Sequence, residues 1–271
     1  MKQLRWFTVC LLFFTSTITA KGGWVISEQI TDNFGNTSFQ STFIQHNQIR
    51  FEGASSITIL QLEQQLITII FPTIRAYWQG TPEELTHSMI EAYDSQVQTL
   101  VLSLPLDQQS EFQSMYDSIK MKMLHPDTTR IASGINLIRT DSVQDIGEHM
   151  ARAYHIARDT TVVEEIWITQ ELKPYEEIDI QQFVTLSNQI NPYSHKGVTL
   201  NTDEYLELLS NGLILKSIKI GERGDYMITE VNSIKEINIP TDFFYPPSNY
   251  RKISLAHAFE LPMVEPDGSD Y

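Results

Sequence analysis

Ala76-Tyr77-Trp78-Gln79-Gly80-Thr81-Pro82-Glu83-Glu84-Leu85 is the stretch in which the chain changes period. Up to Gly80 the apolar residues recur at every second position, the spacing of a strand; beyond Thr81 they recur every fourth, at Leu85, Met89, Tyr93 and Val97, the spacing of a helix. The junction carries its own chemistry. Thr81 is an N-cap, Pro82 fills the first helical position, where its missing N–H costs nothing, and Glu84 completes a capping box with the threonine.

Working back from this junction, short alternating segments are separated by turn residues. Trp24, Ile26 and Ile30 share one face of a first strand. Asn33-Phe34-Gly35-Asn36 turns the chain, and Phe39, Ser41 and Phe43 line one face of a second. After His46-Asn47 come Ile49 and Phe51, with Arg50 and Glu52 pointing the other way. Ile57 and Ile59, the nearly continuous run Leu66 to Phe71, and Ile74, Ala76 and Trp78 complete about six strands in a meander.

Working forward, a second helix opens near Asp107 with Phe112, Met115, Tyr116, Ile119 and Met123 on one side, and His125-Pro126 stops it. Strands return from Ile135: Met150, Tyr154 and Ile156 alternate, Asp159-Thr160 turns, and Val162 to Thr169 runs back. Ile180, Phe183, Val184 and Ser187 fit a short helix ended by Asn191-Pro192. Thr202 caps another helix with Tyr205, Leu208 and Leu209, and Asn211-Gly212 closes it. Leu213 to Ile220, Tyr226 to Val231 and Ile234 to Ile239 are the last strands expected. No linker divides the chain, so the expected fold is α+β: a curved antiparallel sheet, or half-barrel, with helices packed on its concave face.

The first twenty residues read as an export signal, with Lys2 and Arg5 ahead of the apolar stretch Trp6 to Phe14 and a polar end from Thr15 to Ala20. That stretch is well short of the roughly 20 residues that cross a bilayer as a helix. The expected organisation is a signal peptide over 1–20, one domain over 21–256 and an acidic tail over 257–271, with the product periplasmic or extracellular. Cys10 is the only cysteine and falls in the signal, which removes thiol catalysis, cysteine metal sites and disulfides from the mature chain.

There are 19 Lys and Arg against 34 Asp and Glu, a net charge of −15 that becomes −17 once Lys2 and Arg5 leave with the signal. Phosphate backbones and anionic membrane surfaces need clustered basic residues, so neither is an expected partner, and no transmembrane segment is expected because no later stretch is long and apolar enough to span a bilayer.

Seven histidines invite a search for a metal or acid–base site, but only His149 and His155 fall on one strand, and they lack the close spacing of a ligand set. No Gly-x-Ser-x-Gly elbow, His-Glu-x-x-His, phosphate loop or dinucleotide fingerprint occurs. The pairs Glu83-Glu84, Glu164-Glu165 and Glu176-Glu177 are adjacent, so on a strand their two carboxylates point to opposite faces. No catalytic residue, metal or cofactor is expected. Trp24, Trp78 and Trp167, with Phe43, Phe51, Met89, Met115 and Tyr154, fit either core packing or the lining of an apolar ligand site.

Gly147-Glu148-His149-Met150-Ala151-Arg152-Ala153-Tyr154-His155-Ile156, Val163 to Leu172, Gly212 to Lys216 and Ile237 to Pro247 resemble stretches of an uncharacterised bacterial envelope family, the domain-of-unknown-function family 4412. The element order is also similar to the lipoprotein-carrier half-barrels of the bacterial periplasm, LolA- and LolB-like. That resemblance implies a non-enzymatic envelope protein that binds or carries an apolar ligand: a lipid, an acyl chain or a lipidated protein. The alternative is a structural or interaction protein whose sheet is self-filled and which meets an envelope protein partner, and a less favoured one is a hydrolase.

Overall fold

The computed structural model describes residues 22–124, 135–190, 202–221 and 224–260. The export signal, the His125-Pro126 and Asn191-Pro192 stops, His195 and most of the acidic tail lie outside the described residues. Six strands come first: β1 (Gly23–Asp32), β2 (Thr37–Gln45), β3 (Gln48–Glu52), β4 (Ile57–Gln61), β5 (Leu66–Phe71) and β6 (Ala76–Gly80). Helices α1 (Pro82–Ser103) and α2 (Leu106–Leu124) follow, then β7 (Ile135–Ile146), β8 (His149–Arg158) and β9 (Thr161–Thr169). After α3 (Ile180–Ile190) and α4 (Asp203–Ser210) come β10 (Leu213–Ile220), β11 (Tyr226–Ile237), β12 (Arg251–Lys252) and α5 (Leu255–Glu260).

Among the described residues the twelve strands form one sheet, in the order β12-β6-β5-β4-β3-β2-β1-β11-β10-β9-β8-β7. The fold is α+β as the period change requires, and the sheet is open, with β12 and β7 as its edges. Its two blocks meet where β1 pairs antiparallel with β11. One pair departs from the expected antiparallel pattern. β12 runs parallel to β6, because the chain returns to that edge through a 3-10 turn at Thr241–Phe244 instead of a hairpin.

The register assigns the faces. Ile44, Ile49, Leu60 and Ile67 stand opposite one another in successive pairs and therefore share a face. That face joins Ile26 and Trp78 in one buried cluster with Leu85 and Ala92 of α1, Leu186 of α3 and Leu255 of α5. A second cluster sets Tyr205 and Leu209 of α4 on Ile156, Ile166 and Ile168. Ile59 and Ile70 point to the opposite face, where Ile239 and Phe244 cover them. β4 and β5 are thus buried on both sides, which is why their sequences read as apolar runs instead of alternating.

The junction at Thr81 is built as its sequence indicates. Thr81 Oγ1 accepts from the Glu84 backbone at 3.3 Å while Glu84 Oε2 accepts from the Thr81 N–H at 2.7 Å. One difference concerns the end of the sheet. The two short strands expected over 226–231 and 234–239 are one strand, β11, carrying a bulge: Ser27 pairs with Ser233 and Glu28 with Val231, leaving Asn232 unpaired. In a regular strand Val231 and Ile234 would face opposite ways; the extra residue returns both to the helix-covered core. The break in alternation that reads as a turn is this bulge.

Candidate functional site

A cavity of about 180 Å³ lies between the helix-covered face and the elements above it. Its floor comes from four neighbouring strands: Glu28 of β1, Thr229 and Val231 of β11, Ile214, Leu215, Ser217 and Lys219 of β10, and Glu164 of β9. Tyr175, from the 3-10 turn Pro174–Glu177, and Tyr205, from the first turn of α4, complete the lining.

Three bulges bring these side chains together. Asn232 is skipped in β11 opposite Ser27 and Glu28. Leu215 is skipped in β10, so Ile214 and Leu215 both reach the cavity. Val163 is skipped in β9, where Ile156 pairs with Glu164 and Ala157 with Val162. Bulges concentrate where a sheet has to re-aim side chains. Glu164 and Glu165 then point to opposite faces, as adjacent strand residues must. Glu164 lines the cavity, and Glu165 accepts from the Trp167 indole N–H at 2.8 Å and lies 3.2 Å from His155 Nε2.

Inside the cavity Ser217 Oγ donates to Glu164 Oε1 at 2.5 Å, and Lys219 Nζ stands 3.8 Å from the same oxygen. Tyr205 is 7% exposed, with Glu164 and Tyr175 close to its hydroxyl. Burial pushes that hydroxyl far above the usual phenol range, and the nearby Glu164 and Tyr175 push it further. Burial, and then the charge of Glu28, does the same to Tyr175. Both phenols are therefore neutral throughout the physiological range and present O–H groups beside carboxylates.

The residues expected to line an apolar site are dispersed. Trp24, Phe51, Trp78, Met89 and Trp167 belong to or pack against the main cluster, with the Trp78 indole N–H donating to Ser88 Oγ at 3.2 Å. Phe43 lies on the opposite face, 4.7 Å from Phe243 centroid to centroid. Tyr154 packs in the α4 cluster, and Met115 is exposed on α2. None of these eight lines the cavity.

His149 and His155 do not converge either. His149 Nδ1 lies 2.8 Å from Glu171, whose carboxyl is held below its usual range chiefly by that bond, and His155 pairs with Glu165. Among the described residues no three His, Cys, Asp or Glu side chains form a group that could hold a metal ion. The cavity residues escaped sequence reading because no motif links a strand glutamate, a turn tyrosine and a helix tyrosine. The available signal was Glu28 on the same face as Trp24, Ile26 and Ile30, a charge in an apolar row.

No family model matches the chain, that of the domain-of-unknown-function family 4412 included, and no curated protein matches it. Solved structures do. PNGF-II in its C2 crystal form is 11% identical with a TM-score of 0.39, over 88% of this chain and 32% of that one. MucB in complex with MucA(peri) is 9% identical with a TM-score of 0.37, over 86% and 57%. A LolA superfamily protein from Nitrosomonas europaea is 6% identical with a TM-score of 0.25, over 83% and 90%. This chain spans about a third of the first structure's length and just over half of the second's. Similarity at this level is one of outline, to LolA superfamily and MucB structures among others, and it brings no activity, ligand or partner with it.

Proposed function

We propose that the protein is a non-enzymatic binding protein of the bacterial envelope, exported by its N-terminal segment, whose ligand is apolar: a lipid, an acyl chain or a lipidated peptide. The observation that carries this reading is the α1–α2 hairpin. Its base is anchored on the sheet by Leu85 and Ala92, yet further along it exposes Leu100, Leu102, Leu106, Met115, Ile119 and Met121. Leu102 and Leu106, either side of the turn, are 81% and 86% exposed. Apolar side chains concentrated on one exposed element mark a surface that meets something apolar. Beneath the base lies the apolar face of Leu60, Ile67 and Trp78, which a hairpin movement would open to a chain-like ligand.

His149 and His155 do not converge, each standing beside its own carboxylate, Glu171 and Glu165. The test is native mass spectrometry with lipid extraction on gently purified protein, together with uptake of a fluorescent fatty acid. A discrete lipid mass lost on denaturation, and uptake lowered about tenfold by L102E/L106E with the fold intact, are expected.

A second reading, an interaction protein with a self-filled sheet, draws on a different observation. The cavity of about 180 Å³ is below the roughly 300–1,000 Å³ of ordinary ligand pockets. A clean apo mass with no uptake, alongside a co-purifying envelope protein released by L102E/L106E, would select it.

A further inference from the structure

We propose that the turn of the α1–α2 hairpin docks on the surface of a lipid bilayer with neutral headgroups, carrying Leu102 and Leu106 into the boundary between headgroups and acyl chains. The first support is the charge pattern. From Ser95 to Leu106 the chain runs for twelve residues without a charge, and no Lys or Arg occurs between Arg75 and Lys120. Leu100, Leu102 and Leu106 are exposed within that run, so the end of the hairpin is apolar and uncharged where it meets its surroundings.

The second support is the backbone. Helix ends ordinarily leave carbonyl and N–H groups without intrahelical partners, and such groups are costly to take out of water. Here the turn satisfies much of its own backbone. Ser103 Oγ donates to the Leu100 carbonyl at 2.6 Å, and the Leu104 N–H to the Val101 carbonyl at 3.1 Å. Gln109 Nε2 donates to the Leu104 carbonyl at 2.9 Å, and the Gln108 N–H to the Pro105 carbonyl at 2.9 Å. Pro105 itself has no N–H to bury. A turn bonded in this way loses little when lipid replaces water around it.

Size and charge select the partner. A stable protein interface takes roughly 20–30 residues a side, more than this turn offers. From Leu100 to Ser103 the last turn of α1 covers about 5 Å along its axis, within the roughly 5–10 Å that interfacial segments reach. Asp107, the first charge beyond Leu106, keeps the insertion at headgroup depth. The net charge of −15, with no basic residue near the turn to offset it, disfavours anionic lipid.

This inference takes up the hairpin on which the apolar-ligand reading rests and deepens that reading by assigning its turn to the bilayer surface. The experiment is flotation with phosphatidylcholine vesicles of the chain beginning at Lys21, so that the apolar segment Trp6 to Phe14 does not itself bind lipid. Flotation is expected, with partitioning lowered at least about tenfold by L102E/L106E. F34E, which puts the same kind of charge on a residue 82% exposed in the β1–β2 turn, should float as the wild type does. Replacing part of the phosphatidylcholine with phosphatidylglycerol should weaken binding, more at low salt than at high. Circular dichroism checks the fold of each variant. No flotation with phosphatidylcholine, binding unchanged in L102E/L106E or equally lost in F34E, or binding that rises with phosphatidylglycerol would each overturn the proposal. A dimer in sedimentation velocity that L102E/L106E dissociates would overturn it in favour of a second copy on the turn. Flotation without fatty-acid uptake upholds docking and sinks the carrier reading; uptake without flotation does the reverse.

Discussion

Arg50 shows how far a single side chain can be followed from its sequence. Its neighbours Ile49 and Phe51 assign it to the other face of β3, and there it is, 9% exposed. What its position in the sequence does not reveal is the company it keeps. Arg50 donates to Glu52 Oε1 at 2.7 Å through Nε and to the Phe243 carbonyl at 2.7 Å through Nη1, with its guanidinium 4.1 Å above the Phe243 ring. Alternation settles which way a residue points; a partner 193 positions away is a matter of tertiary structure. R50A should lower stability by about 2–3 kcal/mol in urea unfolding, since it strands the Phe243 carbonyl and uncovers that ring. A loss under about 0.5 kcal/mol would mean that Arg50 only decorates the face. The Thr81 cap, by contrast, is legible in full from four consecutive residues, and T81A should cost about 1 kcal/mol by the same measurement. The cavity residues belong with Arg50: Glu28, Glu164, Tyr175 and Tyr205 carry no local sign of one another.

Among the elements, the α1–α2 hairpin carries a polar clasp within its length. Asp94 accepts from Tyr116 Oη at 2.8 Å and from Lys120 Nζ at 2.7 Å. Burial acts to raise the Asp94 carboxyl, but the hydrogen bonds and the charge of Lys120 prevail and hold it below its ordinary value. A carboxyl whose pKa is lower in the folded state stabilises that state above its unfolded pKa of about 3.9, and the contribution disappears as the pH falls through the folded value. The hairpin is therefore expected to loosen in acid below about pH 4, seen as faster amide exchange in α2, while D94N shows fast exchange already at pH 7. Exchange in D94N matching the wild type at pH 7 would show that apolar packing alone holds α2. The starts of α1 and α4, at Thr81 and Thr202, were readable here because caps and periodicity are local. β11 was misread as two strands because a bulge and a turn break alternation in the same way.

For the whole molecule, the meander and the later strands form a single sheet because β1 is paired on both sides, with β2 and with β11. A six-stranded meander and a second block of strands are visible in the sequence; the seam between them is not, since either block could also have packed as a separate layer. If the seam couples them, urea transitions followed separately through Trp78 and Trp167, each as the sole tryptophan of the described residues, should coincide within error. Two separated midpoints would show blocks that unfold alone. The same seam has a consequence for how the protein is made. Gly23 pairs with Ile237, across nearly the whole described chain, so β1 leaves the ribosome well ahead of the strand it waits for. Local hairpins close in microseconds, whereas this contact cannot form until delivery is finished. Throughout that interval one flank of the nascent meander presents an unsatisfied row of N–H and C=O groups, open to any other strand it meets. The yield of native protein is accordingly limited by how well that flank is shielded during synthesis, and slowing translation of the second strand block should raise aggregation more than destabilising the finished fold does.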